Sequence, residues 1–257
     1  MPLRFQAASC AMPLVGLAGL AGAANDGVEP VTPYRPSVSS LAQLPAARQL
    51  KFEFGGLRQS STDMRRRGVP YLFKLAFDKE WGVLIGGEAH VWQRDAGERE
   101  QGLGDTTLTL ERAWVIDEAS ALGKELGVKL PTAKVAIGSG KADHAVNAIY
   151  SRDLGPVRID TNLNALRLGV VDADSSRTQW GVSTSISTPL SAHWSVTGEL
   201  SGTRRSGAGH GSQLLAALSY GPNKLPTIDI GIARATRPTP ATTSLFAGVV
   251  LPLAKLW

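Results

Sequence analysis

Along most of this chain apolar and polar residues change places at every step, the period of a strand with one face in an apolar medium and the other in a polar one. Trp194, Val196, Gly198, Leu200 and Gly202 fall on one face, and Ser195, Thr197, Glu199, Ser201 and Thr203 on the other. Val157, Ile159, Thr161, Leu163 and Ala165 oppose Arg158, Asp160, Asn162 and Asn164, while Ile228, Ile230 and Ile232 oppose Asp229, Gly231 and Ala233. The same reading predicts about twelve strands, over 48–58, 68–78, 81–93, 105–116, 120–130, 142–153, 156–168, 177–188, 192–204, 211–220, 226–236 and 243–256. Each is close to the 9–11 or so residues that a tilted strand needs to cross a hydrocarbon layer. No heptad, dinucleotide-binding pattern or internal repeat competes with them.

A barrel with its apolar face inward gives the same alternating string as one with that face outward, so the kind of polar residue has to decide. Faces built from Ser, Thr, Asn and Gly with an occasional charge fit a crowded lumen better than a solvated surface, which would be rich in Lys and Glu. Connections at 77–81 and 188–192 are short. Those at 60–67, 94–104, 131–141, 171–176 and 205–210 are longer and richer in Gly or charge, as extracellular loops are in outer-membrane barrels. Tyr71, Phe77, Trp81, Trp92, Trp114, Tyr150, Trp180, Trp194, Tyr220 and Trp257 fall near strand ends, where aromatic girdles form. Trp257 is the expected barrel-closing terminal aromatic. The predicted fold is all-β, a transmembrane antiparallel up-and-down β-barrel with both termini in the periplasm.

Arg4 is the only charge before Asp26, Ala11 to Ala24 is apolar, and Ala21-Gly22-Ala23 has the small-x-small form of a cleavage site. We therefore expect a signal peptide over 1–23, a periplasmic lead-in or lumen plug over 24–47, where Pro30, Pro33, Pro36 and Pro45 interrupt any regular element, and the barrel over 48–257. Cys10 is the sole cysteine and lies within that signal, so neither a disulfide nor a cysteine metal site is expected beyond it. The formal charge of +5 falls to +4 without Arg4, and no basic helix accompanies it, which excludes nucleic acid as a partner. A mean hydropathy of −0.04 matches a wall in which every second residue faces away from lipid.

The charges and amides on the polar faces are the candidate lumen lining: Lys51, Glu53, Lys74, Glu88, His90, Glu111, Glu125, Lys129, Arg158, Asp160, Asn162, Asn164, Glu199 and Asp229. Their mixed signs allow either salt bridges across the lumen or a polar path with a selective field. Gly138-Ser139-Gly140-Lys141 lacks the Ser or Thr and the following helix of a phosphate loop and is read as a loop tip. Asp143-His144, Ser139 and Ser151 are the residues a barrel protease or lipase would use, but no third orienting group is spaced to serve them. His90, His193 and His210 are too scattered for a metal site. Arg65-Arg66-Arg67 is expected in the first long loop, either solvated or on lipopolysaccharide phosphates. No cofactor is implied. The expected partners are a small-molecule permeant, outer-membrane lipid and lipopolysaccharide, and the barrel-assembly machinery through the C-terminal strand.

Gly102-Leu103-Gly104-Asp105, Lys129-Leu130-Pro131-Thr132-Ala133-Lys134, Ile137-Gly138-Ser139-Gly140-Lys141-Ala142-Asp143 and Tyr150-Ser151-Arg152-Asp153 together resemble a broad outer-membrane transporter family, the MetA-pathway phenol-degradation type. The likeness runs from Pro33 to Trp257 and includes Gly198-Glu199-Leu200 and Leu245-Phe246-Ala247-Gly248. It implies an outer-membrane channel for passive diffusion, with aromatic compounds as the first permeants to consider. Lys255 departs from the apolar residue usual near the closing end; either it snorkels or Pro252 shifts the register by a bulge. A barrel lipase or protease and a closed structural barrel are the alternatives.

Overall fold

A computed structural model of the protein describes residues 37–95, 97–222, 226–237 and 240–256. The expected signal over 1–23, the start of the lead-in and the closing Trp257 lie outside the described residues. The strands are β1 (Gln49–Ser60), β2 (Met64–Ala76), β3 (Trp81–Asp95), β4 (Glu98–Gly102), β5 (Thr106–Asp117), β6 (Ser120–Leu130), β7 (Asp143–Leu154), β8 (Val157–Arg167), β9 (Thr178–Pro189), β10 (Trp194–Arg205), β11 (Gly209–Tyr220), β12 (Thr227–Arg237) and β13 (Thr242–Lys255). Neighbours in sequence pair antiparallel, and β1 pairs with β13 to close the ring. The short β4 continues the line of β5: it pairs with the far end of β3, while β5 pairs with the near end. The wall is therefore a closed barrel of twelve strands, as the alternation predicts, with no helix among the described residues.

Its outer face is apolar. Leu200, Ile230 and Trp180 are 60%, 62% and 56% exposed, while their strand neighbours Glu199 and Asp229 are buried. A soluble barrel would put these faces the other way round, so the exposed belt is the surface that meets lipid. At the end holding the chain termini, Trp81, Trp114, Tyr150, Trp194 and Tyr220 ring the belt, and the Arg112 guanidinium lies 4.9 Å and 4.7 Å from the Trp81 and Trp114 rings. Such amphipathic rings are favoured where hydrocarbon gives way to water.

At the opposite end the hairpins run further than their hydropathy indicates. The first long loop reduces to the turn around Asp63, and Arg65, Arg66 and Arg67 belong to β2 instead of a loop. Likewise 94–104 becomes the β3–β4 hairpin and 205–210 a tight turn. A ladder continues past the apolar belt because its hydrogen bonds come from the backbone, and hydropathy does not register them. Pro252 also sits at a bulge: Lys51 pairs with Pro252, whereas Leu50 pairs with Ala254. The extra residue resets the facing of the last residues of β13, where Lys255 is exposed.

Candidate lumen site

Three kinds of packing fill the interior. On β11–β13, Leu215, Ala217, Ala233 and Phe246 form an apolar cluster with Leu57, and the Phe246 ring covers Gly231, its cross-strand partner. On β1, β2, β5 and β6 the filling is ionic. Lys74 Nζ lies 2.9 Å from Glu53 Oε1 with both side chains wholly buried. Lys51 stands directly opposite Lys74, and Glu111 directly opposite Glu125. Like charges so placed repel, but Lys74 is also electrostatically coupled to Glu111 and Glu125, so one ammonium serves three carboxylates.

The third filling is the chain itself. Residues 37–47 run inside the ring, and Ser37, Ser39, Leu41 and Ala42 are wholly buried. The backbone N–H groups of Val38 and Ser39 both donate to Glu199 Oε2 at 2.8 Å. Ser40 N–H donates to Asn162 Oδ1 at 2.9 Å, and Asn162 Nδ2 returns a bond to the Ser40 carbonyl at 2.9 Å. Ser40 Oγ donates to Glu125 at 3.1 Å, and Ala42 N–H to Ser151 Oγ at 2.9 Å. Asn147 Nδ2 donates to both Glu125 and Asn162 at 2.8 Å, which fixes the two acceptors before the segment arrives. The wall of β6–β10 thus satisfies a strand-less backbone that would otherwise lose its hydrogen bonds on burial. The fit is close. A Cβ at Gly123 would stand 3.0 Å from Ala42 Cα, and one at Gly82 would stand 2.6 Å from Leu44 Cδ2. Ala42 packs on Ala121 and Ile149.

Nearer the loop end a second ionic group ties down the long loop between β6 and β7. Lys129 Nζ lies 3.2 Å from Asp105 and 2.8 Å from Asp143, and it donates to Ser139 Oγ at 2.7 Å. Asp105 accepts the Ala133 N–H at 3.0 Å and lies over Gly138, where a Cβ would reach its carboxylate oxygen at 2.6 Å. The Gly-Ser-Gly-Lys stretch therefore serves a folded-back loop: its first Gly makes room for Asp105 and its Ser holds Lys129. Ile137 is buried there. Beside this group Arg66 points inward and bonds Glu88 and Gln93.

Of the sequence-predicted residues, Lys51, Glu53, Lys74, Glu111, Glu125, Arg158, Asp160, Asn162, Asn164, Glu199 and Asp229 are all buried inside the ring. Arg158 pairs with Asp153 at 2.5 Å and reaches Gln43 at 3.1 Å, and Asp160 accepts from Ser151 Oγ at 2.5 Å. Glu88 and Lys129 sit higher, partly exposed, in the loop-end groups. His90 stands apart. A bulge where Gly68 and Pro70 meet β3 breaks the alternation at this point, and the His90 ring lies 4.3 Å from the ring of the exposed Trp92, tilted by 41°. Arg66, Asp105, Asp143 and Ser151 join the interior network without having been proposed for it. Ser151 bonds Asp160 and Ala42, Ser139 bonds Lys129 and Lys141, and Asp143 bonds Lys129 and Gly169, so none of these groups turns to a histidine. Among the described residues no cluster of acids and histidines has the form of a metal site.

No protein-family profile matches the chain, and no curated protein matches it. Solved structures do. The KdgM porin, in complex with disordered oligogalacturonate, aligns over 79% of this chain and 99% of its own with 10% identity and a TM-score of 0.59. An outer membrane channel from Pseudomonas putida F1 aligns over 81% of this chain and 97% of its own with 13% identity and a TM-score of 0.62. The translocator domain of the autotransporter NalP from Neisseria meningitidis aligns over 80% and 88% with 10% identity and a TM-score of 0.51. Identities this low establish the fold. Fold and apolar belt together define the class, a twelve-stranded antiparallel barrel of the outer-membrane type with both described chain ends at one end of the ring and the longer connections at the other.

Proposed function

We propose that this protein is a passive outer-membrane channel for small molecules, with the inward charges lining its path and residues 37–47 holding that path shut. The observation that carries the reading is the composition of the interior. A barrel that needed only filling would be better stabilised by apolar side chains of the same volume, yet Lys51, Glu53, Lys74, Glu111, Glu199 and Asp229 are buried here together. A segment on preformed acceptors fits a channel, since strand-to-strand hydrogen bonds hold the wall and the segment's own backbone bond to a strand is that from Gln49 N–H to the Ala46 carbonyl at the edge of β1. The resemblance to the MetA-pathway phenol-degradation type favours an aromatic permeant, and benzoate is the first to test. The closing β13 is the element we expect the barrel-assembly machinery to engage.

The test is single-channel conductance of protein extracted from outer membranes, with heat-dependent gel mobility confirming a folded barrel. We expect small or rare steps from the intact chain and discrete larger ones after deletion of 37–47. Replacing Glu111, Glu125, Glu199 and Asp229 by Gln or Asn should lower cation preference. Silence from the folded deletion variant would reject the channel and favour the second reading, a closed structural barrel. That reading has its own support in Lys51, Glu53, Lys74 and Glu111, all at 0% exposure.

A further inference from the structure

The outer surface of the loop end carries like charges in register. Arg58 of β1 stands directly opposite Arg67 of β2, and Arg65 of β2 directly opposite Arg94 of β3, which faces Arg99 of β4. All five are exposed, whereas Arg66 between them is buried against Glu88. Among the described residues none of the five is seen in an ion pair with a carboxylate; of the hairpin's acids, Asp95 stands opposite Glu98, and Glu100 opposite Gln93. Directly opposed like charges destabilise a sheet unless something of opposite sign lies across them. Toward the termini the same wall exposes Phe54 and Ile85, and Trp92 lies beside Arg67. The guanidiniums therefore stand at the outer border of the apolar belt.

We propose that this patch binds the phosphates of lipopolysaccharide in the outer leaflet. Adjacent strands lie about 4.8 Å apart, so a cross-strand arginine pair can close on one phosphate from two sides with the bidentate geometry that guanidinium offers. Acyl chains would then lie along the belt below. Backbone pairing in β2 and β3 fixes the spacing of the arginines, which a mobile loop would not. The inference rests on the outer-membrane placement and does not depend on whether the lumen conducts.

The test measures binding of diphosphorylated lipid A to detergent-extracted protein by calorimetry, and unfolding in urea in vesicles with and without it. Wild type should bind, dephosphorylated lipid A should not, and the combined Arg65→Gln, Arg67→Gln and Arg94→Gln variant should bind at least about tenfold more weakly. The single Arg65→Gln change should invert in sign: without lipid A it relieves repulsion and raises the unfolding midpoint, and with lipid A it lowers it. Equal binding by the variant would overturn the proposal. So would equal displacement by inorganic phosphate, which would mean an adventitious ion only, or equal binding of phosphatidylglycerol vesicles, which would mean attraction to any anionic surface. A gain in stability from Arg65→Gln under both conditions would overturn it too. A conductance failure would reject the channel and leave each of these readouts unchanged.

Discussion

Replacing Lys74 by Met would remove the ammonium that pairs with Glu53 and is coupled to Glu111 and Glu125, while keeping nearly the length and the apolar stem of the side chain. Lys74 Nζ and Glu53 Oε1 are 2.9 Å apart with neither side chain exposed, so the loss is that of a buried partner and is not screened by solvent. Breaking such a pair from one side costs about 3–5 kcal/mol, because the carboxylates left behind stay buried with less compensation. The directly opposed Glu111 and Glu125 place this variant toward the upper part of that range. Urea unfolding of the barrel in phospholipid vesicles, followed by tryptophan fluorescence, reads the change as a shift in midpoint. A second substitution, Glu53→Gln, removes one of the stranded carboxylates and should recover part of the loss, and the double-mutant cycle isolates the pair. Raising the salt should change the effect little. A loss below about 1 kcal/mol, or one abolished by salt, would show that the cluster is solvated and that the account of a dry ionic filling is wrong.

The lipid-facing side predicts a different response: Leu200→Arg places a charge on the exposed mid-strand face of β10 and should cost about 2–4 kcal/mol in the same vesicle titration. Gly231→Val should cost about 1–3 kcal/mol, because its Cβ would stand 2.3 Å from the Phe246 ring and 2.9 Å from the Ala216 carbonyl oxygen. Asp105→Ala removes both the Ala133 acceptor and one of the Lys129 carboxylates, so proteolysis within 131–142 should become faster while the barrel keeps its gel mobility. Gly123→Val should expel the segment at Ala42 and raise conductance without loss of the wall, and an unchanged conductance would show that the segment does not depend on that contact.

The wall was legible because period-2 alternation is a local property: the outward Trp194, Leu200 and Ile230 and the inward Glu199, Asn162 and Asp229 can be assigned from their own neighbours. What escaped depends on register or on distant partners. Arg65 to Arg67 carry a uniform charge, so their alternation of facing leaves no trace in hydropathy, and the strand end was set too late. His90 lies within the bulge of β3 between Glu88 and Val91, opposite Gly68 to Pro70 of β2, and the register that creates it depends on both strands. The plug expected over 24–47 rested on its irregular composition. Its contacts with Glu199, Asn162 and Glu125 join the segment to residues far along the chain, and only ring closure brings them together. Lys129, Asp105 and Asp143 lie in three separate glycine- or lysine-bearing stretches of the sequence, yet their convergence requires the loop to fold back.

The segment inside the ring is covalently attached to the strand that begins the wall, with only Leu44 to Arg48 between Gln43, which accepts from Arg158, and β1. A tether this short holds the bound group at an effective concentration on the order of millimolar or above. A dissolved competitor present at micromolar levels is therefore outnumbered locally by roughly a thousandfold, whatever its own affinity for Glu199 or Asn162. A scarce solute could vacate the lumen only by binding these groups at least about a thousandfold more tightly than the segment does; short of that, on the channel reading proposed above, the rate at which residues 37–47 let go would set how often the lumen is open.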